Sequence, residues 1–307
     1  MRVAAIDCGT NSIRLLIADV DGMQLTDIVR TMIIVRLGEG VDRTGQFSPQ
    51  ALERTFAATD EYARLIGEHQ PERVRFVATS ASRDASNRAE FFSGIQQRLG
   101  IEPDVISGDE EARLSFAGAT SDLASRSDGP VAPYLVIDIG GGSTEFVLGT
   151  ESPEAALSTN VGCVRMTERH LVNDPPTEAQ IASAIIDIDQ AIESASSVVP
   201  CTEAQSLIGL AGSVTTVAAL ALQLPVYDPN KIHGSRIASA TVHEITQRLL
   251  HMTREERAAL GPMHEGRVDV IGGGALVLDR IMQKLNFKEV VVSERDILDG
   301  IAFDLAK

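Results

Sequence analysis

One pattern of about sixteen residues occurs twice in this chain of 307 residues, and it constrains the fold more than any other feature. Residues 3–18 read VAAIDCGTNSIRLLIA, and residues 134–149 read YLVIDIGGGSTEFVLG. Each copy has an apolar run with an Asp near its end, a Gly-rich turn ending in Ser, and a second apolar run. This order predicts a strand, a tight turn and a strand. The repeat therefore predicts two related domains that each begin with the same hairpin.

The rest of the chain alternates between helical and extended patterns, which predicts an α/β fold with sheets covered by helices. Ser48 and Pro49 predict the N-cap and the first turn of one helix. Further helices are predicted over 84–99, 108–119, 177–194, 213–222, 241–250, 265–284 and 296–306. Strands outside the hairpins are predicted over 73–79, 101–106, 206–211 and 287–293.

The domain boundary is predicted from composition. Segment 121–133, SDLASRSDGPVAP, is rich in Ser, Asp, Gly and Pro, and it lies just before the second hairpin. Such a segment is typical of a linker. We therefore expect one domain over residues 1–122 and a second over 123–295, with a last helix over about 296–307 that packs back on the first.

The two Gly-rich turns are the strongest chemical signal in the sequence. Gly in a turn leaves backbone N–H groups accessible to a phosphate, and Ser or Thr hydroxyls add neutral donors. Two such turns at matching positions favour phosphate binding over the alternative that each is only a hairpin turn. For two other glycine clusters the sequence does not decide between close packing and anion binding. They are Gly212 in the segment LAGSVT, and residues 272–274 inside a helical pattern.

The charged candidates lie next to these turns or at the ends of strands. Asp138 and Glu145 flank the second turn, where carboxylates suit Mg²⁺ and phosphoryl transfer. Glu110 and Glu111 lie in the first turn of a predicted helix. They are either candidates for the chemistry or, as the alternative, a solvated pair of side chains. Arg83 follows a strand at the end where α/β sheets bind ligands, and the alternative is an isolated surface Arg. The histidines show no spacing of metal ligands.

Composition limits the partners. The net charge is −16 and the pI about 4.8, which argues against nonspecific binding to nucleic acid or to anionic membranes. The three cysteines are widely spaced, which predicts buried thiols in a reducing compartment. No stretch approaches the roughly 20 apolar residues of a membrane helix. We expect a cytoplasmic protein.

Five segments together resemble one known family. DCGTNSIRLLI, ATSASRDASN, ISGDEEARL, DIGGGSTEFVLG and GLAGSVTTVAAL are similar, in order and spacing, to the bacterial exopolyphosphatase / guanosine pentaphosphate phosphohydrolase family. The resemblance runs along the whole chain. It implies the actin-like ATPase superfamily, with two ribonuclease-H-like domains flanking an interdomain cleft, and the short form of the family, which has only these two domains.

The resemblance also implies roles for individual residues. Glu111 matches the family's catalytic base, Arg83 its phosphate-binding Arg, and Asp138 and Glu145 its metal-linked carboxylates. The phosphate-binding turns are matched by Gly9, Thr10, Asn11, Ser12, Gly140, Gly141, Gly142 and Ser143. Gly212 and Ser213 lie in the equivalent of the superfamily's nucleotide-side loop.

These roles imply an exopolyphosphatase that uses Mg²⁺ or another divalent metal, with stimulation by a monovalent cation also open. Its expected substrate is inorganic polyphosphate, and the nearest alternative is the 5′-phosphate of pppGpp. A sugar or acetate kinase and a non-catalytic actin-like module remain more distant alternatives. The family implies a homodimer. Because a protein of this charge attracts polyanions only locally, we expect a preference for short polyphosphate chains.

Overall fold

The computed structural model describes residues 1–22, 24–124 and 126–307, so Ser125 of the predicted linker lies outside the described residues. The chain divides into two compact units. Unit 1 consists of Met1–Gly118 and Ile297–Lys307, and unit 2 consists of Ala119–Asp296. Each unit has its own sheet with helices packed against it. The predicted α/β class is confirmed.

Unit 1 is built on the first hairpin. Its strands are β1 (Arg2–Cys8), β2 (Ser12–Asp21), β3 (Gln24–Ile34), β4 (Arg73–Ala78) and β5 (Asp104–Val105). Its helices are α1 (Val41–Thr44), α2 (Pro49–His69), α3 (Ser80–Asp84), α4 (Arg88–Leu99), α5 (Gly108–Leu123), whose last residues belong to unit 2, and α13 (Ile297–Leu305). In the described part of the unit the sheet order is β3-β2-β1-β4-β5.

Unit 2 is built on the second hairpin. Its strands are β6 (Tyr134–Ile139), β7 (Thr144–Gly149), β8 (Pro153–Thr159), β9 (Ser206–Leu210), β10 (Arg236–Ala238) and β11 (Glu289–Val292). Its helices are α6 (Cys163–Arg169), α7 (Glu178–Val198), α8 (Ala211–Ala221), α9 (Pro229–Ile232), α10 (Ser239–His251), α11 (Arg254–Ala258) and α12 (Ile271–Lys284). The sheet order is β10-β11-β9-β6-β7-β8.

The two sheets share one topology. In each, the first three strands pair antiparallel, and the first strand then pairs parallel with a strand reached through a helical connection. Strands β6, β7, β8, β9 and β11 thus repeat β1 to β5, and β10 extends the second sheet at one edge. This is the ribonuclease-H-like arrangement that the resemblance implies, and it agrees with the two related domains predicted from the repeated hairpin.

Local sequence signals set many of the element ends. The Ser48 side chain accepts a hydrogen bond from the Ala51 amide, and Pro49 begins α2, as predicted. Gly100 ends α4 with a φ of 70°, a conformation that suits Gly. The strand predicted over 101–106 is only two residues long, because Pro103 just before it has no N–H to donate to a neighbouring strand. Strands β3, β8 and β10 were not predicted.

Alternating side chains of β1 serve both faces of the first sheet. Ala4 and Ile6 belong to a buried cluster that includes Tyr62 of α2, whereas Val3 and Ala5 pack in a second cluster with α13. The cysteines are free and buried, and burial raises the pKa of each thiol. Among the described residues, no helix is both long and apolar enough to cross a membrane.

Helix α13 is held to the unit 1 sheet by a buried ion pair as well as by apolar packing. Arg30 of β3 donates two hydrogen bonds, of 2.6 and 3.2 Å, to the two carboxylate oxygens of Asp299, which is fully buried. Burial alone would lower the pKa of Arg30, but Asp299 and Asp27 raise it above its ordinary value. The pair therefore ties the end of the chain to the edge strand of the first sheet.

We expect Arg30→Ala to lower the free energy of unfolding by about 3 kcal/mol, because it leaves the buried Asp299 carboxylate without this partner. Urea unfolding of the full chain measures the change. Arg64→Ala is the matched control, since Arg64 pairs with Glu68 on the exposed face of α2, and we expect it to cost less than about 0.5 kcal/mol. Equal losses in the two variants would contradict a special role for the buried pair.

Candidate active site

The Gly9–Ser12 turn of unit 1 is fixed from two sides. The Gly9 amide donates to the Ser12 carbonyl at 3.0 Å, which closes the turn. The Thr10 carbonyl accepts from the Gly38 amide at 2.8 Å, and the Thr10 hydroxyl lies 3.0 Å from that of Ser80 at the start of α3. The turn is therefore held in one conformation by the segment after β3 and by α3.

Glu111 and Arg83 meet within unit 1. Arg83, in α3, donates from Nη1 to Oε2 of Glu111 at 2.8 Å and to the Ile106 carbonyl at 3.0 Å. Glu111 is buried in the first turn of α5, whereas its neighbour Glu110 is half-buried and pairs with Arg75 at 2.6 Å. Glu111 does not fit the interpretation of a solvated first-turn pair, and Arg83 is not an isolated surface Arg.

The Gly140–Ser143 turn of unit 2 has three consecutive carbonyls held from one side. The Gly140 carbonyl accepts from the Cys163 amide at 2.9 Å, and the Gly141 carbonyl from the amides of Val164 and Arg165 at 2.9 and 3.1 Å. The Gly142 carbonyl accepts from Nε of Arg165 at 2.7 Å. Cys163, Val164 and Arg165, which provide these donors, all belong to α6.

This arrangement directs three amides away from α6. In a planar trans peptide the C=O and the following N–H point in opposite directions, so the N–H groups of Gly141, Gly142 and Ser143 face the opposite side. Within the described residues, no group accepts a hydrogen bond from these amides. Consecutive amides directed to one side form an anion-binding nest. We call Gly141, Gly142 and Ser143 the amide nest.

Two buried carboxylates lie beside the amide nest. Asp138 and Glu145 are direct cross-strand partners in the β6–β7 hairpin, and the Ser158 hydroxyl donates to Oε1 of Glu145 at 2.7 Å. No three His, Cys, Asp or Glu side chains are grouped as metal ligands in the described part of the chain. Two carboxylates still fit Mg²⁺, which commonly takes one or two of them and completes its coordination with water and phosphate oxygens.

The equivalent position of unit 1 carries a different pair. Asp7 faces Arg14 in the same register in which Asp138 faces Glu145, and Arg14 donates from Nε and Nη2 to Oδ2 of Asp7 at 3.0 and 2.6 Å. The acid of unit 1 thus has a guanidinium as its cross-strand partner, and the acid of unit 2 has a second carboxylate. Of the two hairpins, the hairpin of unit 2, with its two carboxylates, suits a divalent cation.

The two remaining glycine clusters lie close to other groups of unit 2. A Cβ added to Gly212 would lie 0.9 Å from the guanidinium of Arg267, and one added to Gly274 would lie 2.1 Å from the Ser213 hydroxyl. One added to Gly273 would lie 2.9 Å from the Cys163 carbonyl. Helix α12 therefore approaches α6 and α8 at distances that only Gly allows.

Three polar residues that contact the candidate residues were not found from the sequence. Ser80 contacts Thr10, Ser158 contacts Glu145, and Arg165 contacts Gly142. Ser158 lies on a strand that was not predicted, and Arg165 on a helix that was not predicted. Arg165 has no sequence signal of its own, because its helix is only seven residues long and has no clear pattern.

The two ribonuclease-H-like units, the Gly-rich hairpin turns and the paired carboxylates define an α/β protein that handles phosphate groups. Residues 16–307 match the model of the Ppx/GppA phosphatase family, and the chain belongs to this family. The chain is therefore a hydrolase that acts on phosphoanhydride bonds. Both conclusions agree with the resemblance carried by its motifs.

Individual relatives cover nearly the whole chain. It is 50% identical to exopolyphosphatase 2 of Mycobacterium tuberculosis, over 99% of this chain and 98% of that protein. It is 26% identical to the guanosine-5′-triphosphate,3′-diphosphate pyrophosphatase of Pseudoalteromonas atlantica, over 98% of this chain and 58% of that protein. A crystal structure of an exopolyphosphatase-like protein superposes with a TM-score of 0.96 and 46% identity, covering 99% of this chain and 97% of that one.

We expect Gly162→Ala to reduce phosphate release about 10- to 100-fold. A Cβ at this position would lie 2.5 Å from the Gly141 carbonyl and 2.8 Å from the Gly140 carbonyl, so the turn must move. The loss is measured as kcat/KM on a phosphoanhydride substrate. Gly67→Ala is the control, because a Cβ there meets nothing within 4 Å. Unchanged activity in Gly162→Ala would show that the position of the turn does not matter.

Proposed function

We propose that this protein is an exopolyphosphatase that releases orthophosphate from the ends of inorganic polyphosphate. The observation that carries the proposal is the amide nest, whose three N–H groups suit the oxygens of a terminal phosphate. The 50% identical relative named exopolyphosphatase 2 supports the choice of substrate.

The proposed reaction is an in-line displacement by water. The water oxygen bonds to the terminal phosphorus, the bond from that phosphorus to the bridging oxygen breaks, and the shortened chain leaves with the bridging oxygen. Glu111 accepts the proton of the water. The proposed role of Arg83, which donates to the Ile106 carbonyl and to Glu111, is to bind a phosphoryl oxygen. The burial of Glu111 and its contact with Arg83 support these roles.

Asp138 and Glu145 would hold Mg²⁺ or a similar divalent cation. When bound, the metal supplies positive charge to the phosphate oxygens. Ser158, which faces Glu145 from the neighbouring strand β8, donates to one oxygen of Glu145 and so restricts the rotation of this carboxylate. The adjacency of Asp138 and Glu145 in the register of the β6–β7 hairpin supports their assignment as metal ligands.

The charge of the chain supports a preference for short substrates. A protein of net charge −16 gains little from long-range attraction to a polyanion. Binding then depends on local donors, namely main-chain N–H groups, a few Arg side chains and a bound cation. Each added phosphate beyond their reach brings repulsion without a new contact.

A second candidate is hydrolysis of the 5′-phosphate of pppGpp. It breaks the same kind of bond with the same groups, and the Pseudoalteromonas atlantica relative is named for a guanosine substrate. The purified full chain should be assayed with Mg²⁺ on triphosphate, on chains of hundreds of phosphates and on pppGpp. We expect the highest kcat/KM on the short polyphosphate. Faster turnover of the long chains would contradict the charge argument, and turnover of pppGpp alone would favour the second candidate.

We expect Glu111→Gln to reduce phosphate release about 10²- to 10⁴-fold, because an amide has nearly the same shape but accepts no proton. Glu110→Gln is the matched control, since it changes the neighbouring residue, which pairs with Arg75. Circular dichroism establishes that both variants fold. Full activity in folded Glu111→Gln would falsify the role of this residue as a base.

A further inference from the structure

The third peptide of the Gly140–Ser143 turn is held differently from the first two. Main-chain amides of α6 hold the carbonyls of Gly140 and Gly141, whereas the Gly142 carbonyl is held by a side chain, through Nε of Arg165 at 2.7 Å. The Gly142 carbonyl belongs to the same peptide as the Ser143 N–H. The direction of that N–H, the last of the amide nest, is therefore set by Arg165.

The backbone of α6 has no amide available for this task. The amides of Cys163, Val164 and Arg165 donate to the carbonyls of Gly140 and Gly141. The next amide, that of Met166, donates to the Gly162 carbonyl at 2.9 Å. The helix has thus used its first four donors before it reaches Gly142, and a side chain must supply the next one.

We propose that Arg165 is a positioning residue for phosphoryl transfer, which holds the Gly142–Ser143 peptide so that the Ser143 N–H faces the transferred phosphoryl group. This inference rests on the proposed function. It assigns Arg165 to the orientation of a donor rather than to contact with the substrate.

Two properties of the arginine suit this task. Its Nε–H lies within the rigid plane of the guanidinium, so one fixed donor meets the carbonyl along a defined direction. Its charge also polarises the peptide that it holds, which strengthens the N–H at the other end of that peptide as a donor. A lysine would keep the charge but would offer a freely rotating ammonium at the end of a flexible chain.

The first test is kinetic. We expect Arg165→Ala to lower kcat on triphosphate about 100-fold, the usual cost of losing one oriented donor to a transition state, with KM changed by no more than a few-fold. Arg165→Lys should stay at least about 10-fold below the unmodified protein. Arg169→Ala, on the last residue of the same helix, is the matched control, because Arg169 pairs with Asp187 at 2.7 Å. Full kcat in Arg165→Lys would show that charge alone is enough and would overturn the positioning role.

The second test observes the amides themselves. Inorganic phosphate, the product, is added to ¹⁵N-labelled full-length protein. In the unmodified protein the amide resonances of Gly141, Gly142 and Ser143 should shift. In Arg165→Ala the first two should still shift, and that of Ser143 should not. Shifts that persist at all three amides, or that vanish at all three, would overturn the inference.

The two proposals fail in different ways. An unmodified protein that releases phosphate from neither polyphosphate nor pppGpp would refute the proposed function. An active protein whose Arg165→Ala variant matches Arg169→Ala in kcat would refute only the role of Arg165. Thermal melting of the variants identifies any that is merely unfolded, and Arg165→Lys, which keeps the charge of the side chain, then gives the deciding kinetic comparison.

Discussion

Hydrogen bonds from α6 to three successive carbonyls decide what the Gly140–Ser143 turn can do. A Gly-rich turn is flexible on its own, because Gly restricts its backbone less than any other residue. Once the carbonyls are held, the opposite N–H groups have fixed directions, and the turn becomes a preformed set of donors. Catalytic benefit requires such preorganisation, since donors that must reorient during the reaction lose much of their effect. Gly162 belongs to the same arrangement, because its lack of a side chain lets α6 come this close.

The two hairpins show how one backbone frame supports two electrostatic designs. In unit 1 the acid on the first strand of the hairpin faces a permanent cation on the second strand, and Asp7 and Arg14 form a partly buried ion pair. In unit 2 the acid faces another acid, which suits a divalent cation and its bound oxygens. The same register therefore pairs an acid with a guanidinium in unit 1 and with a second carboxylate in unit 2. The exchange of a single side chain in the register, Arg14 against Glu145, makes the difference.

The sequence predicts the hairpins, both Gly-rich turns and most helices, because these depend on local patterns: periodicity, caps and glycines. It separates Glu111 from Glu110 only through the family resemblance, since the two side chains are chemically alike and differ in which one the packing of α5 buries. Arg165 could not be predicted in this way. Its contact with Gly142 joins residues 23 positions apart through a seven-residue helix that has no clear pattern of its own.

The acidic composition acquires a physical meaning from these contacts. A substrate with one charge on every phosphate cannot be attracted from a distance by a chain of net charge −16, so all favourable terms must come from groups in contact with it. Main-chain N–H groups suit this purpose, because they interact strongly with an anion at short range and add no net charge to the surface. A site of this kind holds the end of a chain without attracting the rest of it. In the proposed exopolyphosphatase, selectivity for chain ends would then follow from the charge of the protein as much as from the shape of the site.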